Sequence, residues 1–410
     1  MGGGLLQLVA YGAQDAYLSG NPQITFWRGL FKRHTNFAME PFRVNLTGQA
    51  VWGSKHSAIL GRHADLVSSS YIELEVDDSN QTIYDTVDGF AASYNFLEYA
   101  EIDIGGQVID RQYGEFLLLW GNLAHSTDQR SNMSAMVKLD GANGTCGTSG
   151  RTTRRNIVFI PLMFFFCRNP GAALPLIALQ YHEVKINILW NKPQLIFKSV
   201  TNGAIDYVNP SQANLIVDYV YLDVEERRRM AQESHEYLIE QTQFNETKGM
   251  TSAQQRVDLT FNHPVKELIW VTQLSSRRNC RFISRADPQV QVTPFTYDDI
   301  IYNCALQLNG QDRVPSLPGR YYRAVQAFQH HSGTNVQGAY SYSFAIKPEE
   351  HQPSGTCNFS RIDTATLVFS VDGDTAISNT DSQNYDIRVY ALNYNILRVM
   401  SGMGGLAYSN

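Results

Sequence analysis

The chain has 410 residues, 43% of them hydrophobic and 18% charged, with a formal net charge of −6. A single core stops growing at ~250 to 300 residues, so two folded domains are expected. The acidic balance and scattered basic groups argue against a protein that neutralises many phosphates, and five cysteines without a C-x-x-C pair exclude the usual zinc and redox spacings.

The N-terminal stretch "MGGGLLQLVAYGAQD" is glycine-rich and apolar, with Leu5, Leu6, Leu8, Val9 and Tyr11 but no alternation. Strands are expected only from about Phe37. No charged-then-apolar leader is visible, so the thiols are expected to be reduced. Period-two patterns then recur. "YIELEV" sets Ile72, Leu74 and Val76 against Glu73 and Glu75; "EVKINI", "RVDLTF" and "DIRVYA" repeat the pattern. "IVFIPLMFFFC", from Ile157 to Cys167, is too short to span a bilayer as a helix and contains Pro161, so it reads as a buried strand. Helical pattern is confined to "GEFLLLWGNL" and "EERRRMAQESHEYLIEQ", and loops to clusters such as "DGANGTCGTSG" and "DGDTAISNTDSQN". The fold class is all-β.

The two halves echo one another. Gly106-Gln107 and Gly310-Gln311 each follow an alternating strand and precede an Asp-Arg pair, and "VDYVYLDVEERRRM" resembles "RVYALNYNILRVM". Two related sandwiches, joined between Val224 and Glu236, account for this.

Catalytic patterns fail on inspection. "EIDIGGQ" places Glu101 and Asp103 on one strand face, but the third carboxylate of an E-x-D-x-x-E strand is replaced by Gly106. Both acids are expected to be solvated, so that neutralising them should hardly disturb folding. There is no H-x-H; His330 and His331 would point to opposite faces of a strand, and His182 in "YHEVKI" reads as a structural histidine. The closing "SGMGGLAYSN" spells G-x-G-x-x-A through Gly402, Gly404 and Ala407, yet only three residues follow, too few for the helix on which a pyrophosphate rests. Catalytic, cofactor-binding and metal residues are therefore all read as none, and no cofactor is expected. Six N-x-[ST] triplets occur, at Asn45, Asn80, Asn132, Asn143, Asn245 and Asn358; Asn143, in a polar loop, is the best placed for glycosylation.

Several segments together resemble the major capsid proteins of nucleocytoplasmic large DNA viruses, the phycodnavirus group included. They are "LVAYGAQDAYLSGNPQITFWRGLFKRHTNFA", "NPGAALPLIALQYHEVKI", "ERRRMAQESHEYLIEQ", "LQLNGQDR", "QPSGTCNFSRID" and "RVMSGMGGLAYSN". The resemblance implies two consecutive eight-stranded antiparallel jelly-roll sandwiches with short helices in loops. Its expected boundaries are an N-terminal base and assembly segment (1–26), a first jelly roll (27–224), a linker (225–236), a second jelly roll (237–400) and a Gly-rich tail (401–410). It also implies a non-enzymatic shell protein forming a homotrimeric, pseudo-hexagonal capsomer that tiles the facets of an icosahedral virion. Its partners would be further copies, neighbouring capsomers and minor capsid proteins beneath the shell, with no direct nucleic acid and no membrane span; assembly would occur in the host cytoplasm. Residues 275–299 are expected to form a trimmed outward loop, and both termini to be packing and assembly elements. The alternatives are a carbohydrate-binding or glycoside-hydrolysing β-sandwich, separable by a groove with paired carboxylates, and a minor capsomer paralogue.

Overall fold

A computed structural model describes residues 2–27, 29, 31–77, 93–137, 155–196, 207–250, 254–275, 301–336, 338–371 and 385–408. The chain divides into two compact units, Met1–Phe37 and Ala38–Asn410. The first carries two short helices, α1 (Gly3–Val9) and α2 (Asp15–Ser19), neither with a buried residue. The expected loops 140–150, 276–299 and 372–384 lie outside the described residues.

Alternation becomes sheet in the second unit. Its first nine strands are β1 (Phe37–Asn45), β2 (Lys55–Ile59), β3 (Leu66–Asp77), β4 (Leu97–Ile104), β5 (Gln107–Tyr113), β6 (Arg155–Pro161), β7 (Leu174–Pro175), β8 (Val184–Trp190) and β9 (Gln212–Leu222). They form two sheets, β1-β9-β3-β6, with β7 added on β3, and β2-β8-β4-β5. The inward residues, Ile72, Leu74, Ile102, Ile186 and Val217 among them, make one apolar core. Ten more strands follow: β10 (His235–Met250), β11 (Gln254–Asp258), β12 (Pro264–Leu274), β13 (Ile301–Leu308), β14 (Gln311–Pro318), β15 (Ala339–Ser343), β16 (Cys357–Asn358), β17 (Ala365–Val371), β18 (Tyr385–Met400) and β19 (Met403–Leu406). These build β10-β18-β12-β15, with β16 and β19 at its margins, and β11-β17-β13-β14, around a core that includes Trp270, Tyr340, Phe369 and Val389.

The two strand orders are the same. Leaving aside the short additions β7, β16 and β19, each module has eight strands in which the first, eighth, third and sixth face the second, seventh, fourth and fifth. This is the jelly-roll arrangement of an antiparallel sandwich. The echo between the halves has a concrete cause in the backbone. Gly105-Gly106 join β4 to β5, and Asn309-Gly310 join β13 to β14, all four with positive φ. Both are two-residue turns whose twist suits a hairpin, closed by the pairs Ile104 with Gln107 and Leu308 with Gln311.

Two expectations about local structure need correction. The helix expected over residues 225–241 stops early: α7 spans Val224–Gln232, and alternation in "HEYLIEQTQF" sends His235 onward into β10. The stretch from Ile157 to Cys167 is only partly strand, because β6 ends at Pro161 and Phe165–Arg168 forms a helical turn. The remaining helices are α3 (Gly114–Leu123), α4 (Thr127–Val137), α5 (Phe165–Arg168), α6 (Pro193–Ile196) and α8 (Gln326–His330).

Candidate functional site: the seam between the sandwiches

The most elaborate buried chemistry lies where the two sandwiches meet, and α3 builds it. Glu115 stands in its first turn, where a negative charge is favourable, and every residue of the helix is buried. A helix dry all round needs two surfaces to cover it. Leu117 and Leu118 face the first core. Phe116, Leu119, Trp120 and Leu123, spaced three and four apart, join Ile269, Val271, Tyr390 and Leu392 on the outer face of the sheet carrying β12 and β18. Tyr113 extends this contact, its ring 4.4 Å from that of Phe244.

Charged groups sit inside this apolar contact. The Arg388 guanidinium meets Glu115 through two bonds, Nε to Oε2 at 2.5 Å and Nη2 to Oε1 at 2.7 Å, while the Tyr390 hydroxyl donates to Oε2 at 2.7 Å. Burial alone would lower the arginine's pKa, but the Glu115 carboxylate outweighs it and raises the value. Beside this pair, Glu240 accepts from Arg168 Nη1 at 2.5 Å and from Lys266 Nζ at 2.6 Å. The Trp120 ring lies under both cations, 4.9 Å from the guanidinium and 5.4 Å from the ammonium. Burial pushes Glu240 upward, yet the two cations hold it below the ordinary carboxylate range; for Lys266, burial wins and its pKa falls. Asp110 of β5 accepts from the Thr242 amide of β10 at 2.9 Å, and burial raises it to about 6 against that bond and the charge of Arg168.

His331 completes the group. Its Nε2 lies 2.6 Å from Glu267 Oε1 and its Nδ1 3.1 Å from Glu349 Oε1. Burial lowers its pKa, but the two carboxylates prevail and raise it from 6.5 to about 9. A raised histidine stabilises the fold in its protonated form. Its contribution is complete below about pH 6.5, declines as pH climbs through about 9, and is absent above. Between these limits the wild type is expected to lose on the order of 3 kcal/mol more stability than His331→Gln. Denaturant midpoints from pH 6 to 10 would show it, and parallel pH profiles for the two proteins would refute the assignment.

The C-terminus locks the same joint from another side. Leu397 and Val399 of β18 belong to the first core although the strand begins in the second. Ser401 and Gly402, both with positive φ, turn the chain back into β19. There the Tyr181 amide donates to the Gly402 carbonyl at 2.9 Å, and His182 Nδ1 stands 3.0 Å from the Gly404 carbonyl oxygen. A side chain on Gly404 would meet a Leu179 methyl at 2.6 Å, so Leu179 would have to shift to admit one. The glycines of the closing motif therefore serve a hairpin.

The expectation for Glu101 is overturned. It lies on the outward strand face but is only 2% exposed, because Lys55 at 2.5 Å and Arg111 at 2.8 Å cover it and Asn187 donates to it. Those cations, against burial, keep its pKa low. Its neutralisation would remove the shared counter-charge of two half-exposed cations, so a measurable loss of stability is expected in place of a silent substitution. Asp103 accepts from the Gly106 amide at 2.7 Å in the hairpin turn. A carboxylate held ionised between two cations is unsuited to the proton-donating role a glycosidase needs.

No cluster able to hold a metal occurs among the described residues, and no described helix is long and apolar enough to cross a membrane. Among the described cysteines, Cys167, Cys304 and Cys357 are free. Asn143 and Asn80 lie outside the described residues, while the Asn245 and Asn358 side chains are engaged in local hydrogen bonds. Sequence reasoning missed Glu115, Lys266, Arg388 and His331 as members of one site. The available signal was the charge within apolar runs, "GEFLLLW" and "PVKELIW".

Comparison with known proteins returns one answer along the whole length. Residues 25–223 match the family model described as major capsid protein N-terminus, and residues 226–405 the model for large eukaryotic DNA virus major capsid protein. The major capsid protein of Pyramimonas orientalis virus is 43% identical, with all of both chains covered. Among solved structures, a chain of the PBCV-1 virus capsid superposes with a TM-score of 0.78 at 33% identity, covering 94% of this chain and 100% of that one. The Faustovirus major capsid protein shares the fold, with a TM-score of 0.72 at 10% identity over 95% and 94% of the two chains.

Proposed function

The chain belongs to the major capsid proteins of large eukaryotic DNA viruses, non-enzymatic components of the virion shell, and from that premise we propose that three copies close into a pseudo-hexagonal capsomer that tiles flat facets of an icosahedral capsid. The observation that carries this is the repetition of one strand order in two sandwiches held by a buried seam. Each copy then presents two similar walls, and a head-to-tail contact between unlike halves closes as a ring of three with six walls. A seam that yielded would let the walls rotate and spoil the tiling, which gives the buried ion pairs a mechanical purpose.

The same reading takes residues 27–224 and 237–400 as the two wall modules, with 27–36 leading into the first strand of the first, 225–236 as the connection, 1–26 as the base segment and 401–410 as the C-terminal tail. Minor capsid proteins beneath the shell and neighbouring capsomers are the partners, the host cytoplasm is the place of assembly, and Asn143 is the candidate glycan acceptor. Light scattering on purified protein is expected to give a mass three times the 46.2 kDa of the chain. An interface of the obligate class buries roughly 2,000 to 5,000 Å² and survives dilution. A stable folded monomer at micromolar concentration would overturn the trimer.

A further inference from the structure

One feature lies ahead of the first strand. Ile24, Phe26, Trp27 and Phe31 are between 84% and 105% exposed, in a segment "ITFWRGLFKR" that interleaves them with basic residues. The first 37 residues hold Arg28, Lys32 and Arg33 against the single acid Asp15, in a chain of net charge −6. Placed on a helix at 100° per residue, Ile24, Phe26, Trp27, Leu30 and Phe31 all fall in one arc of about 160°, and Thr25, Arg28, Gly29, Lys32 and Arg33 fill the rest. The described residues of 21–36 nevertheless form neither helix nor strand. The pattern makes an amphipathic helix available to the segment once a surface covers its apolar arc.

We propose that residues 24–33 are a lipid-interface anchor, which folds into an in-plane basic amphipathic helix on an anionic bilayer. Tryptophan, phenylalanine and leucine on one face with arginine and lysine on the other is the composition that settles at the headgroup boundary. A protein partner is the competing occupant, and charge favours the bilayer: Arg28, Lys32 and Arg33 are opposed by no acid within residues 24–33, which suits attraction to an anionic headgroup layer. The segment is too short to span, which matches an in-plane position.

The reporter is already present. Trp27 is 84% exposed, whereas Trp52, Trp120, Trp190 and Trp270 are at most 4% exposed. The intact protein would be floated with vesicles of phosphatidylcholine, with and without phosphatidylglycerol. The Trp27 emission is obtained as the difference between wild type and Trp27→Phe. Binding to the anionic vesicles only, weakened by salt, with a blue shift of that emission, is expected. At ~1 kcal/mol per basic residue near a charged surface, deleting Lys32 and Arg33 by Lys32→Gln and Arg33→Gln should weaken vesicle affinity about thirty-fold. No flotation with either vesicle, or undiminished binding of the double variant, would overturn the proposal. So would a Trp27 emission already blue-shifted without lipid, which would mean that a second copy covers the segment. The proposal does not depend on the trimer, and the mass of the lipid-free protein, read from the same sample, separates the two failures.

Discussion

Arg388→Met is expected to destabilise the folded chain by about 3 to 5 kcal/mol, because it leaves the Glu115 carboxylate buried without its counter-charge. Arg388 and Glu115 are 5% and 2% exposed, so water does not reach the orphaned group without opening the seam. The Tyr390 hydroxyl at 2.7 Å supplies one hydrogen bond to that carboxylate and no positive charge. Protonation of Glu115 would relieve the loss of Arg388, so the deficit should shrink as pH falls, opposite to the ordinary loss of stability in acid. Adding Glu115→Leu to Arg388→Met is expected to recover most of the deficit, since removing both charges leaves an apolar contact of similar volume. Urea midpoints at constant slope would measure each step. A single substitution costing less than ~1 kcal/mol would mean that the pair is hydrated and the seam looser than its geometry.

Which parts of this were legible beforehand follows from the range of the interactions. Period two at Ile72, Leu74 and Val76 reports a local geometry, and so the sheets could be read directly. The bounds of α3 match the apolar string "GEFLLLWGNL" for the same reason. The end of α7 was misplaced because Glu233 and Ser234 suit either state, and the switch to β10 depends on pairing with β18 across the module. The seam was illegible because Glu115 and Arg388 stand 273 residues apart, and nothing in either local pattern announces the other. Glu101 was misjudged by a related rule. An outward strand position was equated with a wet one, whereas the cross-strand neighbour Arg111 and the more distant Lys55 fold over it. Family resemblance reached the two-sandwich architecture that these local rules could only suggest, but it did not identify which charges hold the halves together.

Trp120→Ala is expected to cost about 3 to 5 kcal/mol as a large-to-small change in a packed interior, and its signature should differ from that of an ordinary core substitution. Trp120 belongs to the seam cluster and to neither sandwich core. Its ring stacks near Phe116 at 6.2 Å, meets His331 edge-on and carries the charges of Arg168 and Lys266 on its faces. Removing it opens a void beneath two cations, which invites water between the halves while each sandwich keeps its own apolar centre. The two modules are then expected to melt separately. Calorimetry should show the wild-type transition broaden or split in Trp120→Ala, with one module unfolding ahead of the other. Phe369→Ala is the control: Phe369 lies within the second core, so its loss of ~3 to 5 kcal/mol should lower the transition of that module directly, with the seam still transmitting the strain. If the two variants gave the same shift and the same shape, the sandwiches would be one cooperative body irrespective of α3, and the rigidity needed for tiling would have to be sought in β18 and in β10, whose Ile239 lies in the first core and Met250 in the second.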